Sequence, residues 1–185
     1  MVDHSGMKLG KRPARSPAGL RPLRRYLGVA RAGTVPPIPA SCDRSDAVAQ
    51  WPMLGNDTIG DCTIAAVGHA VQLWTAVTNR MRAMSDAEAI AGYEAFGYRP
   101  GDAESDRGAE AAGVLRRWCG AGFACGGTQD LLTGFCAIDP ETEGEVRAGV
   151  AWLGVVYAGL ELPIAAQTMD LWDAPSQRKR CFATL

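Results

Sequence analysis

The chain has 185 residues, a net charge of −1, 47% hydrophobic residues and 21% charged residues. That length fits one domain, or two small lobes on a shared core, and the composition excludes wholesale disorder. The longest apolar runs are broken by Gly, His or Glu well short of the ~18 residues a membrane helix needs, and no apolar stretch follows the basic N-terminus, so the expectation is a soluble, cytoplasmic protein with no secretory signal and no membrane partner.

Residues 1–31 hold eight Lys/Arg against one acid, a +7 segment, which leaves eleven bases against nineteen acids, −8, in the remainder. Six of the eleven prolines fall within residues 1–40. This stretch is therefore expected to be an extended basic arm that docks on its own acidic body or stands as a solvated tail. Its only aromatic is Tyr26, which leaves nothing for bases to stack on, so nucleic acid is not the expected partner. Residues 41–175 are read as the folded domain and 176–185, with Arg178, Lys179 and Arg180, as an atypical basic tail.

Residues 51–61 read as a loop rich in Gly, Asn and Asp. A helix is expected from about Cys62 to Thr78 with Asp61 as its N-cap. Ile64, Ala65, Val67, Val71, Leu73, Trp74 and Val77 cover most of its circumference, so it is central and buried. Ser85-Asp86-Ala87-Glu88 is a capping box that starts a second helix to about Phe96. Residues 99–108 read as a polar turn and 108–119 as a third helix with Leu115 and Trp118 facing inward. Thr133–Ile138 is a strand candidate. Asp139-Pro140-Glu141 reads as a capped helix start running to about Leu153, and Val155–Leu162 as a strand ended by Pro163. Helices first and strands late give an α+β pattern with an incomplete sheet.

The six cysteines are Cys42, Cys62, Cys119, Cys125, Cys136 and Cys181. No Cys-x-x-Cys pair occurs and there are two histidines, so no metal site and no cofactor are called for, and most of the thiols are expected to be reduced and buried. Gly55 and Gly60 have phosphate-loop spacing, but Asp61 stands where a phosphate loop has lysine, which argues against nucleotide binding. Cys62 is the better chemical candidate. A thiol in the first turn of a buried helix meets the positive end of the helix dipole, which favours the nucleophilic thiolate. Asn56, six residues upstream, could supply its side-chain amide beside the Cys62 backbone N–H as two donors to a tetrahedral oxyanion. The plainer alternative makes Cys62 a small residue at a tight helix start and Asn56 and Asp57 turn formers.

An amide side chain six residues before a cysteine that opens a long buried helix resembles the papain-like cysteine peptidases. Gly55-Asn56-Asp57 through Gly60-Asp61-Cys62, followed by His69 and Leu73-Trp74, looks like a group of bacterial and prophage proteins with a papain-like domain. Lys8-Leu9-Gly10-Lys11 with Pro13-Ala14-Arg15, and Glu145-Val146 through Gly154–Pro163, are similar to theirs as well. The resemblance implies a papain-like α+β fold, a helical lobe and a β lobe, with Cys62 as nucleophile and Asn56 in the oxyanion hole. It implies peptide or amide hydrolysis, with a peptide or protein as the substrate.

Three departures stand against that pattern. Asn56 replaces the glutamine of papain proper, and Gly60-Asp61-Cys62-Thr63 replaces its Cys-Gly-Ser-Cys-Trp signature. The family's histidine lies far downstream of the cysteine, and this chain has none after His69. His69 is seven residues beyond Cys62, about 10 Å along a helix, against a reach of about 3 Å for proton transfer; it is read as a structural, hydrogen-bonded residue, and His4 is discounted. The chain is accordingly read as a truncated or frame-shifted hydrolase without its base, inactive as written, or alternatively as a naturally short papain-fold relic or phage-associated binding module.

Overall fold

The computed structural model describes residues 20–27 and 36–160. Its elements are α1 (Leu23–Leu27), α2 (Cys62–Ala76), α3 (Asp86–Glu94), α4 (Ala111–Gly120), β1 (Phe123–Cys125), β2 (Thr128–Asp130) and α5 (Glu143–Ala148). Short 3-10 turns occupy Ser45–Ala47 and Ala103–Ser105, and α5 runs on as a π-helical turn over Gly149–Leu153. The chain is thus α+β, with a single antiparallel hairpin, β1–β2, as the sheet among the described residues.

The helix α2 is the axis of the molecule. Ile64, Val67, Ala70 and Val71 are buried in one cluster with Tyr93 of α3, Val114 and Trp118 of α4, and Phe123 and Cys125 of β1. Its apolar residues lie around most of the cylinder, so most of its surface is buried, and the half-exposed residues Cys62, Ala66, His69 and Leu73 fall on one stripe. Leu54 from the preceding loop lies over Gly68, where a Cβ would stand 2.6 Å from the leucine Cδ1. Gly68 is therefore a close-approach glycine. A second, smaller cluster joins Leu23, Ile138 and Ala148, with Cys136, Val146, Trp152 and Val156 packed on it.

The expected start of α3 is present in full. Ser85 accepts from the Glu88 backbone N–H, and Glu88 accepts from the Ser85 N–H at 2.8 Å. Glu88 also accepts from the Gly126 and Gly127 N–H groups at 3.2 and 2.8 Å. Burial works against its carboxylate, but the N–H groups of Gly127, Ser85 and Gly126 and the Ser85 hydroxyl outweigh it and hold its pKa below the usual value. One glutamate thus starts α3 and fastens the turn of the hairpin to it.

Several expectations are corrected. Thr133–Ile138 is not a strand; its one ladder contact is an isolated parallel bridge, Pro22 to Ala137. Residues 155–160 form no strand either. Val155 and Tyr157 pack on the main cluster while Val156 packs on the small one. Side chains alternate between two cores there, but among the described residues no neighbouring strand completes a ladder. The actual sheet lies at 123–130, where Gly126 and Gly127 at φ +61° and +72° form a two-residue turn. The helix α4 begins at Ala111 rather than 108.

Asp139 does not cap α5. Its carboxylate accepts from the Glu141 N–H and the Thr142 hydroxyl, closing a turn, and the helix starts one residue after Thr142. The arm is not uniformly extended. Leu23–Leu27 is a short helix whose Leu23 is buried and whose Arg24 pairs with Glu145 at 3.4 Å. Docking on the acidic body holds for this piece. Further along, Arg147 donates to the Pro39 and Ala40 carbonyls, and Arg44 to those of Val150 and Ala151. The rest of the arm (1–19 and 28–35), the end of the expected last strand and the basic tail 176–185 lie outside the described residues.

Gly122, which leads into β1, has φ +78°, and a Cβ there would collide with the Asp130 backbone carbonyl. Both the left-handed backbone and the backbone contact oppose any side chain. Gly122→Ala is expected to destabilise the protein by about 1–3 kcal/mol, read as a lowered urea midpoint at unchanged m-value. An unaltered midpoint would show that the hairpin does not sit this close to its own entry.

Candidate active site

The loop before α2 runs antiparallel to the helix it feeds. The Gln50 carbonyl accepts from the Gln72 side chain and the Pro52 carbonyl from His69 Nε2, both at 2.8 Å. Because a carbonyl can only accept, Nε2 carries the ring proton. Leu54 then covers Gly68, and two consecutive left-handed residues, Leu54 at φ 59° and Gly55 at φ 87°, turn the chain toward the helix start. Asn56 N–H closes on the Met53 carbonyl at 3.1 Å, and Thr58 and Ile59 N–H groups close on that of Gly55. These contacts carry the chain from beside the middle of α2 to its N-terminus.

Cys62 is the first residue of α2 and is half-buried. Tyr157, 94 residues further on, donates its hydroxyl to the Thr63 carbonyl at 2.8 Å. Burial and the nearby Cys62 thiol both push its phenol above the ordinary range. The Asn56 side chain is half-buried in the turn six residues before Cys62, with Oδ1 buried and without a hydrogen-bond partner. An oxyanion donor would need the other end of this amide, its NH₂, turned to the thiol; the two ends are related by a half-turn of the amide.

His69 is the structural residue expected: it is half-buried, fixed to Pro52, and met edge-on by the Trp51 ring at 5.4 Å. His4 lies outside the described residues. The cysteines differ in part from expectation. Of the five described, none is in a disulfide and only Cys125 is fully buried. Burial pushes the Cys125 thiol up to about 11 and raises those of Cys119 and Cys136 as well. Cys181 lies outside the described residues.

Asp61 occupies the N-cap position but makes no cap bond. Its side chain is fully buried, and neither oxygen has a hydrogen-bond partner. Burial pushes its pKa up to about 7, against the pull of its own backbone N–H, with the charges of Asp106, Asp57 and Asp86 adding to the rise. Asp106 accepts from the Gly60 N–H at 3.0 and 3.2 Å and from the Tyr93 hydroxyl at 2.9 Å, and that hydroxyl accepts from the Gly108 N–H at 2.6 Å. The residue directly before Asp61 is therefore anchored to the segment ahead of α4. Asp106, Tyr93 and Tyr157 carried no sequence signal of a role at this site; Asp106 sits in a polar turn and Tyr157 in an apolar run.

A cavity of about 180 Å³ opens between α2, α4 and the segments 132–138 and 153–157, walled by Trp74, Trp118, Leu132, Phe135, Val155 and Tyr157. Tyr157 is common to this cavity and to the first turn of α2. Among the described residues no group of three or more His, Cys, Asp or Glu side chains is arranged to hold a metal ion, and no helix is long and apolar enough to cross a membrane. No protein-family model, curated protein or solved structure matches the chain.

The thiols should react unequally. Iodoacetamide at neutral pH, followed by peptide mapping, is expected to modify Cys62 ahead of Cys119 and Cys125, since Cys62 alone opens a long helix and the other two thiols are disfavoured by burial. Equal labelling of Cys62 and Cys119 in the folded protein would remove the ground for treating Cys62 as a nucleophile.

Proposed function

We propose that this chain is a cytoplasmic, papain-like cysteine hydrolase domain in which Cys62 is the nucleophile and Asn56 the oxyanion residue, inactive toward amides as written because the histidine base of the family it resembles is missing. The observation that carries the reading is that Cys62 is the first residue of a 15-residue buried helix and is itself half-buried, reached from a loop that bears Asn56. The resemblance of residues 54–74 to bacterial and prophage papain-like proteins supports the same reaction class: acyl transfer from a peptide or amide to a thiol.

The base is the weak point of such a site. His69 donates Nε2 to Pro52, and its distance along α2 is several times a proton-transfer reach. Without an imidazole to protonate the leaving amine, amide hydrolysis is expected to run about 100- to 10,000-fold below that of a complete site. That same observation favours a second reading, a non-catalytic papain-fold relic or binding module that keeps the helix and its groove.

An activated ester separates the two. Its phenolate leaves without a proton, so thiolate attack alone forms the thioester. The protein incubated with a p-nitrophenyl ester of a short acyl-peptide is expected to gain one acyl group on Cys62, detected by intact mass and mapping. Cys62→Ala should gain none, and neither protein should turn over fluorogenic peptide amides efficiently. Absence of acylation at Cys62 would leave the binding module as the reading. Robust amide turnover lost in Cys62→Ala would reveal a base elsewhere in the chain and overturn the missing-histidine argument.

A further inference from the structure

Asp61 is an exception to the rule that buried charge is paired. Four of the five buried side-chain polar atoms without a partner among the described residues belong to Asn56, Asp61 and Thr63, all at the entry to α2. All four are oxygens, and two are those of one carboxyl group. An ionised carboxylate with no side-chain or neighbouring donor in such a place is strongly disfavoured, so the group takes up a proton instead.

Several acidic groups surround Asp61. Asp57 faces Asp61 from the same loop, Asp86 and Tyr93 from α3, and Asp106 from the segment before α4. Cys62 follows on its own helix, and Arg107, the one cation adjacent in sequence to Asp106, gives its Nε–H to the Glu104 carbonyl at 2.7 Å and has its remaining N–H donors besides. Asp106 accepts from both the Gly60 N–H and the Tyr93 hydroxyl, whereas Asp61 accepts from neither. Two carboxyl groups close enough to repel do not both ionise readily, and donors hold the negative charge where they point.

A second position for Asp61 is built into the local sequence. It stands at the N-cap of α2 but leaves the cap bond unmade. Rotated outward as a carboxylate, it would meet the first N–H groups of the helix and the positive end of its dipole. Gly55 and Gly60 flank the turn that would have to yield. We propose that Asp61 carries the single proton of an Asp61–Asp106 carboxyl pair, and that loss of this proton turns Asp61 outward to cap α2 and loosens the 55–61 turn ahead of Cys62. The device is independent of whether Cys62 is a nucleophile.

The sign follows from proton binding. The folded chain holds this proton up to about pH 7, whereas an unfolded aspartate releases it near pH 4. Between those values the folded state binds more protons, so the contribution of Asp61 to stability declines as pH rises from about 4 to about 7 and is level above that. Carbonyl-carbon NMR of the aspartate side chains, from pH 4 to 9, tests the pair directly. One carboxyl is expected to titrate near 7 and to vanish in Asp61→Asn. In Asp106→Asn its midpoint should fall, by about 1 unit or more for neighbouring charges. Hydrogen exchange of the peptide spanning 54–65, corrected for intrinsic pH dependence, should lose about tenfold or more of its protection above pH 8, with α4 unchanged. An Asp61 that titrates near 4, a midpoint unmoved in Asp106→Asn, or wild-type protection of 54–65 that does not change with pH would each overturn the proposal, whether or not Asp61→Asn folds.

Discussion

A long helix that leaves only one half-exposed stripe, through Cys62, Ala66, His69 and Leu73, and part of its last turn open needs the rest of the chain placed to cover its other faces. That constraint organises this protein. The helices α3 and α4, β1 of the hairpin and the loop before α2 each take a share of the α2 surface. Even polar residues of α2 are drawn into the covering: Gln72 and His69 bond to the Gln50 and Pro52 carbonyls of the chain laid along it. Because the loop is tied down twice on its way, its end delivers Asp61 and Cys62 to the helix start in a fixed relation. The packing of α2 is thus also what positions the candidate chemistry.

The two residues at that start have opposite environments. Asp61 is fully buried and without a donor, and Cys62 next to it is half-buried and neighbours the Tyr157 phenol. One side of the helix entry stores an uncomfortable acid, and the other presents a thiol. Tyr157 brings the far part of the chain to the same turn by its bond to the Thr63 carbonyl and also walls the apolar cavity. One side chain is thus shared by the cavity wall and the helix start.

Much of this was legible in the sequence because the signals are local. The broad apolar pattern of 62–76 marked the buried helix, Ser85 and Glu88 marked the start of α3, and the seven-residue gap from Cys62 marked His69 as structural. The misses share a cause. The apolar residues of 135–138 and 155–157 are shared between two clusters and not paired in a ladder, and apolar content cannot specify a hydrogen-bond partner. The only local mark of the hairpin at 123–130 is Gly126-Gly127, between strands of three residues each. Asp61 looked like an ordinary N-cap, because nothing local reveals that Asp106, 45 residues away, takes the donors at the Gly60 end of the loop. The Asp61–Asp106 and Cys62–Tyr157 relations are both long-range, and a single sequence carries no mark of them.

The claim on which the rest depends is that α2 is the most deeply protected element and that the site is built on its fixed end. Native-state hydrogen exchange tests this most directly. The amides from Val67 to Val71, at the centre of α2 and within the main cluster, are expected to exchange last, only through global unfolding, with the same denaturant dependence as the whole protein. Amides of α3 or α4 that outlast them, or α2 amides that open in a smaller local event, would contradict the account.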